Sequence, residues 1–337
     1  MNRRLAALAL LALIAAVILV GAGAWYLLNT PPPSSGPPEL ITIGTGPVEL
    51  AGLIYIAEDR GFFLHNGLTV TILEYDSALA AVAGMEKGEA DLSASTEYPI
   101  VGDVLGAKSI SIIGCIDKYQ TTYLVGMNDR GIRTTSDLAG KRIGVHHESI
   151  GEFYLGRFLG LNGIRLDDVT LVDLSPAQLE GALADGTIDA AIIWNLDRQT
   201  IQQRFGSTTA IWPAQGDQPT FGVLAGRNDW IDGHGTAIGK ALRAIGEAEE
   251  YAVGHPAEAR AILQRRLNTT NAHMAAAWSD HRFAVSLDQS LVVATNDEGR
   301  WMIANNMTNA TAIPDFRGYI STEGLEQVKP EAVRIVG

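Results

Sequence analysis

Two rhythms of apolar and polar positions alternate along this chain. Short runs with strand-like alternation are separated by stretches in which apolar residues recur every three or four positions. That exchange predicts an α/β protein. Isoleucines at every second position of residues 40–44 predict a first strand. Pro47, followed by Leu50, Leu53, Ile54 and Ala57, predicts a helix with proline in its first turn. Residues 68–73 alternate as a second strand, Ser77 precedes an alanine-rich helix ending at Lys87, and a strand opens at Asp91. Residues 109–115 and 121–127 predict two further strands, the second leading to a new group of elements. That group reads as a short helix at 135–138, a strand at 142–146, and a helix from Ser149, its cap, to about Leu161. A strand at 169–173, a helix at 176–184 and a strand at 190–194 complete it. Residues 220–225 are expected to return as a strand to the first group. From Gly235 onward the pattern is helical, through Ile238, Leu242 and Ile245, then over 257–267, 272–278 and 288–305.

One phrase occurs twice. Met85-Glu86-Lys87-Gly88-Glu89-Ala90-Asp91-Leu92 and Leu183-Ala184-Asp185-Gly186-Thr187-Ile188-Asp189-Ala190 each end an amphipathic helix in glycine and open an apolar strand on aspartate. Glycine suits the left-handed position that closes a helix, and the apolar run reads as a buried parallel strand. Residues just past such strands lie where open α/β sheets bind ligands. Two copies predict two lobes, each offering a loop to one cleft. A helix-Gly-Asp-strand junction is also common in α/β enzymes, and fold alone does not fix function.

Three further phrases, in order, narrow the choice. Ile56-Ala57-Glu58-Asp59-Arg60-Gly61-Phe62-Phe63 with His65-Asn66-Gly67-Leu68-Thr69-Val70 resembles the opening of the nitrate/sulfonate/taurine type of ABC-importer substrate-binding protein. Ser136-Asp137-Leu138-Ala139-Gly140-Lys141-Arg142-Ile143-Gly144-Val145 is similar to the entry into that family's second lobe. Leu166-Asp167-Asp168-Val169-Thr170-Leu171-Val172 matches the step that follows. The resemblance runs phrase by phrase over residues 41–225. It implies a type II periplasmic-binding fold, with lobe one formed by 39–125 and 222–337 and lobe two by 126–221. It also implies closure about a hinge near residues 125 and 222, and permease and ATPase partners encoded elsewhere.

The amino terminus adds an address. Arg3 and Arg4 precede residues 5–28, which carry no charge. That length suffices to cross a bilayer, which needs roughly 20 apolar residues, and the flanking charges predict a cytoplasmic amino terminus with an external body. The expectation is a single-pass membrane anchor at 1–28, then a proline- and serine-rich linker at 29–38 that spaces the body from the bilayer. Ala22-Gly23-Ala24 has the small-residue spacing of a cleavage site, which keeps a removed signal in play. The only cysteine, Cys115, excludes both an internal disulfide and an amino-terminal lipid anchor. A net charge of −13 argues against nucleic acid as a partner. Asparagine acceptor patterns at Asn268, Asn306 and Asn309 are compatible with export.

No catalytic or cofactor-binding pattern emerges from the residues. Gly44-Thr45-Gly46 lacks the third glycine of a dinucleotide loop, and there is no phosphate loop or nucleophile elbow. His146 and His147 would point to opposite faces of a strand end, so one of them is expected to face the cleft and a shared metal is not. Neither a cofactor nor a metal is expected. The binding residues chosen by position are Gly46, Val48 and Glu49 after the first strand, and Ser95, Thr96 and Glu97 after the strand at Asp91. Thr121 and Thr122 lie near the hinge, Ser149 and Ile150 open a helix able to receive an anion, and Trp194 and Asn195 follow the last strand of lobe two. The expected ligand is a small polar anion of the nitrate/sulfonate/taurine class. Glu49, Glu97 and Glu148 fall on the candidate loops with no Arg or Lys among them, so a thiamine-type pyrimidine precursor, rich in donors, is the alternative. An enzyme on the same scaffold is the remaining one; the pyrimidine-forming relatives that the resemblance brings in carry a cysteine- and histidine-rich iron site, which a single cysteine does not supply.

Overall fold

The structure, a computed structural model, describes residues 37–336, without the side chains of Asn195, Leu196, Asp197 and Gln199. The expected membrane anchor and nearly all of the linker lie outside the described residues. Among the described residues no helix is long and apolar enough to cross a membrane.

The chain opens with β1 (Glu39–Thr45), which buries Ile41 and Ile43 and leaves Leu40 exposed, as its alternation demands. The helix expected to start at Pro47 begins later. Val48 is extended, residues 49–51 form one 3-10 turn, and α1 (Gly52–Asp59) follows. Residues 46–48 are thereby left as a loop. Then come α2 (Phe62–His65), β2 (Leu68–Glu74), α3 (Ala78–Lys87), β3 (Leu92–Thr96), α4 (Glu97–Leu105) and β4 (Ile110–Tyr119). Ser77 caps α3, its Oγ accepting the Ala80 N–H at 3.1 Å, and Gly88 closes it at φ 77°. Ser77→Ala is expected to cost about 1 kcal/mol in urea denaturation; an unchanged midpoint would show that the cap contributes nothing.

Next come β5 (Thr122–Met127), β6 (Arg142–Val145), α5 (Ile150–Leu161), β7 (Thr170–Asp173), α6 (Pro176–Asp185), β8 (Ala190–Trp194), α7 (Asn195–Phe205) and β9 (Thr209–Pro213). The helix expected at 135–138 is a 3-10 turn that buries Leu138. The hydropathy pattern did not announce α7 or β9. The helix is strongly polar along its length, and the strand is a half-buried edge. The chain then returns as β10 (Thr220–Arg227), followed by α8 (Asn228–Gly233), α9 (Gly235–Gly254), α10 (Pro256–Arg266), α11 (Asn271–Trp278), β11 (Leu287–Asp288), α12 (Gln289–Ala304), α13 (Glu323–Val328) and β12 (Val333–Arg334).

Two five-stranded sheets result, ordered β2-β1-β3-β10-β4 and β7-β6-β8-β5-β9. Each has a parallel trio at one end, and each continues through an antiparallel strand, β10 or β5. The strands opened by the repeated phrase, β3 and β8, occupy the middle of the two sheets. Their residues are almost wholly buried, which explains the continuous apolar run of β8; β3 departs from that expectation, burying Ser93, Ser95 and Thr96 beside Leu92 and Ala94. α9 packs on α1 and α12 on α4, so the helical remainder covers the first sheet's helices. The chain passes between the sheets twice, once from β4 to β5 and once from β9 to β10. Gln215, only 2% exposed, ties these passages together. Its Oε1 accepts the Thr122 N–H at 2.8 Å, and its Nε2 donates to the Tyr119 carbonyl and Thr220 Oγ1, both at 3.2 Å.

Candidate functional site

A cavity of about 380 Å³ lies where the carboxyl ends of the parallel strands of both sheets meet. Its walls come from loops because a parallel strand that feeds a helix must turn at its carboxyl end. Pro47, Val48 and Glu49 follow β1, Asp76 and Ser77 follow β2, and Thr96 and Pro99 lead into α4. From the second sheet come His146, Glu148, Ser149 and Ile150 after β6, Pro176 after β7, and Trp194 at the end of β8. Tyr119 and Thr121 border it at the first passage between sheets, and His273 and His281 close it from the helical remainder. Helices α3, α4, α5 and α6 begin at this wall, turning the positive ends of their dipoles toward the cavity.

Seven of the twelve residues chosen from sequence line the cavity: Val48, Glu49, Thr96, Thr121, Ser149, Ile150 and Trp194. The side chain of Asn195 lies outside those described. Four others are turned elsewhere. The Gly46 carbonyl accepts from the Tyr55 hydroxyl at 3.0 Å, and a side chain there would press on the Ser77–Ala78 backbone at 3.3 Å. Gly46 therefore permits a close approach that shapes the rim. Ser95 is fully buried, its hydroxyl donating to the Thr96 carbonyl. Thr122 gives its N–H to Gln215, on the other side of the passage. Glu97 points away into the core, accepting the Phe221 N–H at 3.1 Å and lying against Glu298. Ser149 stands at the start of α5 but does not cap it. Its hydroxyl donates to the His146 carbonyl at 2.6 Å, and the buried Glu152 takes the Glu148 N–H instead.

His273 and His281 are what position in the sequence did not reveal. His273 Nε2 sits 3.3 Å from Glu49 Oε1. His281 Nδ1 is 2.5 Å from the fully buried Asp117 Oδ2. The His281 ring stacks between Tyr119 at 4.9 Å and Phe283 at 5.3 Å. Burial opposes a charge on His281, but Asp117, with Glu49 and Asp280 behind it, outweighs that and raises its pKa. Burial likewise works against ionised Glu49. The His273 hydrogen bond and the nearby His281 charge prevail and hold its pKa below the usual carboxylate value. His146 faces the cavity while His147 turns to Glu152 at 3.0 Å, the divergence expected of neighbours on a strand end. Among the described residues no group of three His, Cys, Asp or Glu side chains is placed to hold a metal. Glu148 adopts φ 54°, a left-handed conformation unusual for a residue with a side chain, and lines the cavity in that state.

Known proteins share this plan. A putative binding protein of Brucella abortus (strain 2308) is 28% identical over 229 residues, 62% of this chain and 70% of its own length. The periplasmic aliphatic sulphonate binding protein SsuA from Escherichia coli superposes with a TM-score of 0.72 at 15% identity, covering 85% of this chain and 92% of its own. The alkanesulfonate-binding protein SsuA from Xanthomonas axonopodis pv. citri, bound to MOPS, gives 0.73 at 16% identity, covering 86% and 100%. These likenesses establish the two-lobed periplasmic-binding architecture. Residues 50–259 match the family described as NMT1/THI5 like, and this chain belongs to that family.

Proposed function

We propose that the chain is the extracytoplasmic solute-binding protein of an ABC importer, tethered to the membrane through residues 5–28. Its solute is a small polar organic or inorganic anion of the nitrate/sulfonate/taurine class, taken into the cavity between the two lobes. One observation carries this reading: the strand ends of both sheets and the amino ends of four helices converge on a single cavity of ligand size. Amides at helix starts donate hydrogen bonds to an acidic group, and the sulfonate-binding proteins with the same architecture support the choice. Trp194 and Tyr119 supply apolar faces for the solute's carbon skeleton.

Binding draws the lobes together about the two passages that Gln215 joins, and the closed form is what the permease and ATPase partners distinguish. Lobe one is best drawn as 39–119 with 220–337 and lobe two as 122–213, a few residues before the expected boundaries at 125 and 222, because β5 pairs within the second sheet and β10 within the first. Calorimetry on the full-length chain in mild detergent tests the reading with ethanesulfonate, taurine, nitrate and an aminopyrimidine. Saturable binding of a sulfonate or nitrate is expected. Trp194→Ala should weaken binding of an organic sulfonate by about tenfold through lost apolar contact. Binding of the aminopyrimidine alone would move the assignment to a pyrimidine precursor, and a folded protein that binds none of the four would sink the receptor reading.

A further inference from the structure

We infer that Glu49 is the residue that selects the solute by a positively charged group, so that the importer's cargo is an amine-bearing organic acid rather than a plain anion. The inference rests on the receptor reading above and concerns what the same cavity discriminates.

The charge of the lining is the first argument. Glu49, Asp76 and Glu148 all border the cavity, no Lys or Arg is among its lining residues, and its histidines His281 and His273 are already engaged by Asp117 and Glu49. An anion without a compensating positive group would meet three carboxylates in a space poorly screened by water, and that repulsion is strong at low effective dielectric. The amino ends of α3, α4, α5 and α6 favour an acidic group within about one turn of the helix start. The wall therefore offers complementarity to both ends of a zwitterion.

The second argument is how Glu49 is held. Its carboxylate is 16% exposed, engaged by His273, itself nearly buried at 9%, and it faces the His281 ring that Asp117 orients. The surroundings keep it ionised although burial works against the charge. An ionised carboxylate accepts at about four positions, so the contacts with His273 and with its own backbone amide leave acceptor capacity toward the cavity. A glutamate serving only as a surface cap would not need a buried histidine partner 224 residues away in sequence. Glu97, by contrast, is turned into the core and cannot take this role. Glu148 enters the same cavity from the opposite lobe, so an ammonium group placed there has acceptors on both sides.

Matched pairs of probes test this. Taurine and ethanesulfonate differ only in the amine, as do homotaurine and propanesulfonate. In calorimetry with the full-length chain, the amine-bearing member of each pair should bind about 10- to 100-fold more tightly, the range of a hydrogen bond to a charged group. Glu49→Gln should erase most of that preference and tighten binding of the plain sulfonate, because one of the carboxylates that repel it is gone. His273→Gln, which removes the partner but keeps the carboxylate, should reduce the preference by a smaller factor. Equal binding of both members of each pair to the wild-type chain overturns the role of Glu49 and leaves the receptor reading standing. Binding of none of the four by a folded chain overturns both. The wild-type comparison is independent of any variant's stability.

Discussion

Stability of this protein should fall as pH rises from about 4.5 toward 8, and Glu298→Gln should remove much of that fall. Glu97 and Glu298 are both fully buried, lie against each other, and have no cation among their described contacts. Burial is the main cause of the displacement of Glu97, whose pKa is pushed up to about 8 despite help from its own amide and the Phe221 N–H. Burial and the neighbouring Glu97 push Glu298 well above the ordinary carboxylate value. The pair is stable only while it holds protons, because one protonated carboxyl can donate to the other whereas two carboxylates repel. The unfolded chain releases these protons near pH 4.5, whereas the folded chain holds that of Glu97 to about 8 and that of Glu298 well above the ordinary carboxylate range. Between those values the folded state binds more protons, so stability present below 4.5 is lost as pH rises. Glutamine at 298 supplies a permanent donor and removes one ionisable group. The expected gain at pH 8 is on the order of 2–4 kcal/mol, with little change at pH 5. Urea denaturation at pH 5, 6.5 and 8 measures it. A wild-type stability that is flat or rising over that range would sink the argument.

Gln215→Ala should be damaging in a different way. It removes a buried amide whose partners lie on both passages between the sheets, leaving the Thr122 N–H, the Tyr119 carbonyl and the Thr220 hydroxyl without it. Each buried polar group left unpaired costs about 1–3 kcal/mol. The whole change is expected to cost about 3 kcal/mol or more in denaturant unfolding. Because the loss falls on the strands about which closure is proposed, affinity for the solute should drop with it. Gln215→Glu keeps the shape and the acceptor for Thr122 but sets a carboxylate against the Tyr119 and Gln218 carbonyls, and should be nearly as destabilising. Either variant unfolding at the wild-type urea midpoint would show that the amide does not hold the passages.

The sequence by itself determined the alternation of strands and helices, the two-fold recurrence of helix-Gly-Asp-strand, and through them the pair of α/β lobes. These are local properties. A strand buried in the middle of a sheet must avoid charge, as β8 does with a wholly apolar run and β3 with small hydroxyl residues among apolar ones, and a helix that turns sharply into it needs a residue tolerant of positive φ, as Gly88 and Gly186 are. Ligand-facing loops were legible for the same reason, since the carboxyl end of a parallel strand is fixed by its sequence. Hence Val48, Glu49, Thr96, Ser149, Ile150 and Trp194 could be named. Which way each loop side chain turns was not legible, because that depends on partners distant in sequence. Glu97 turns inward because Phe221 and Glu298 meet it there, 124 and 201 residues away. His273 and His281 reach the cavity only after the helical remainder folds back over the first sheet, and no local pattern marks them. Tertiary structure alone decided the electrostatics of the site. The ionisation of Glu49 is the balance between burial and two histidines, and a linear sequence contains neither quantity.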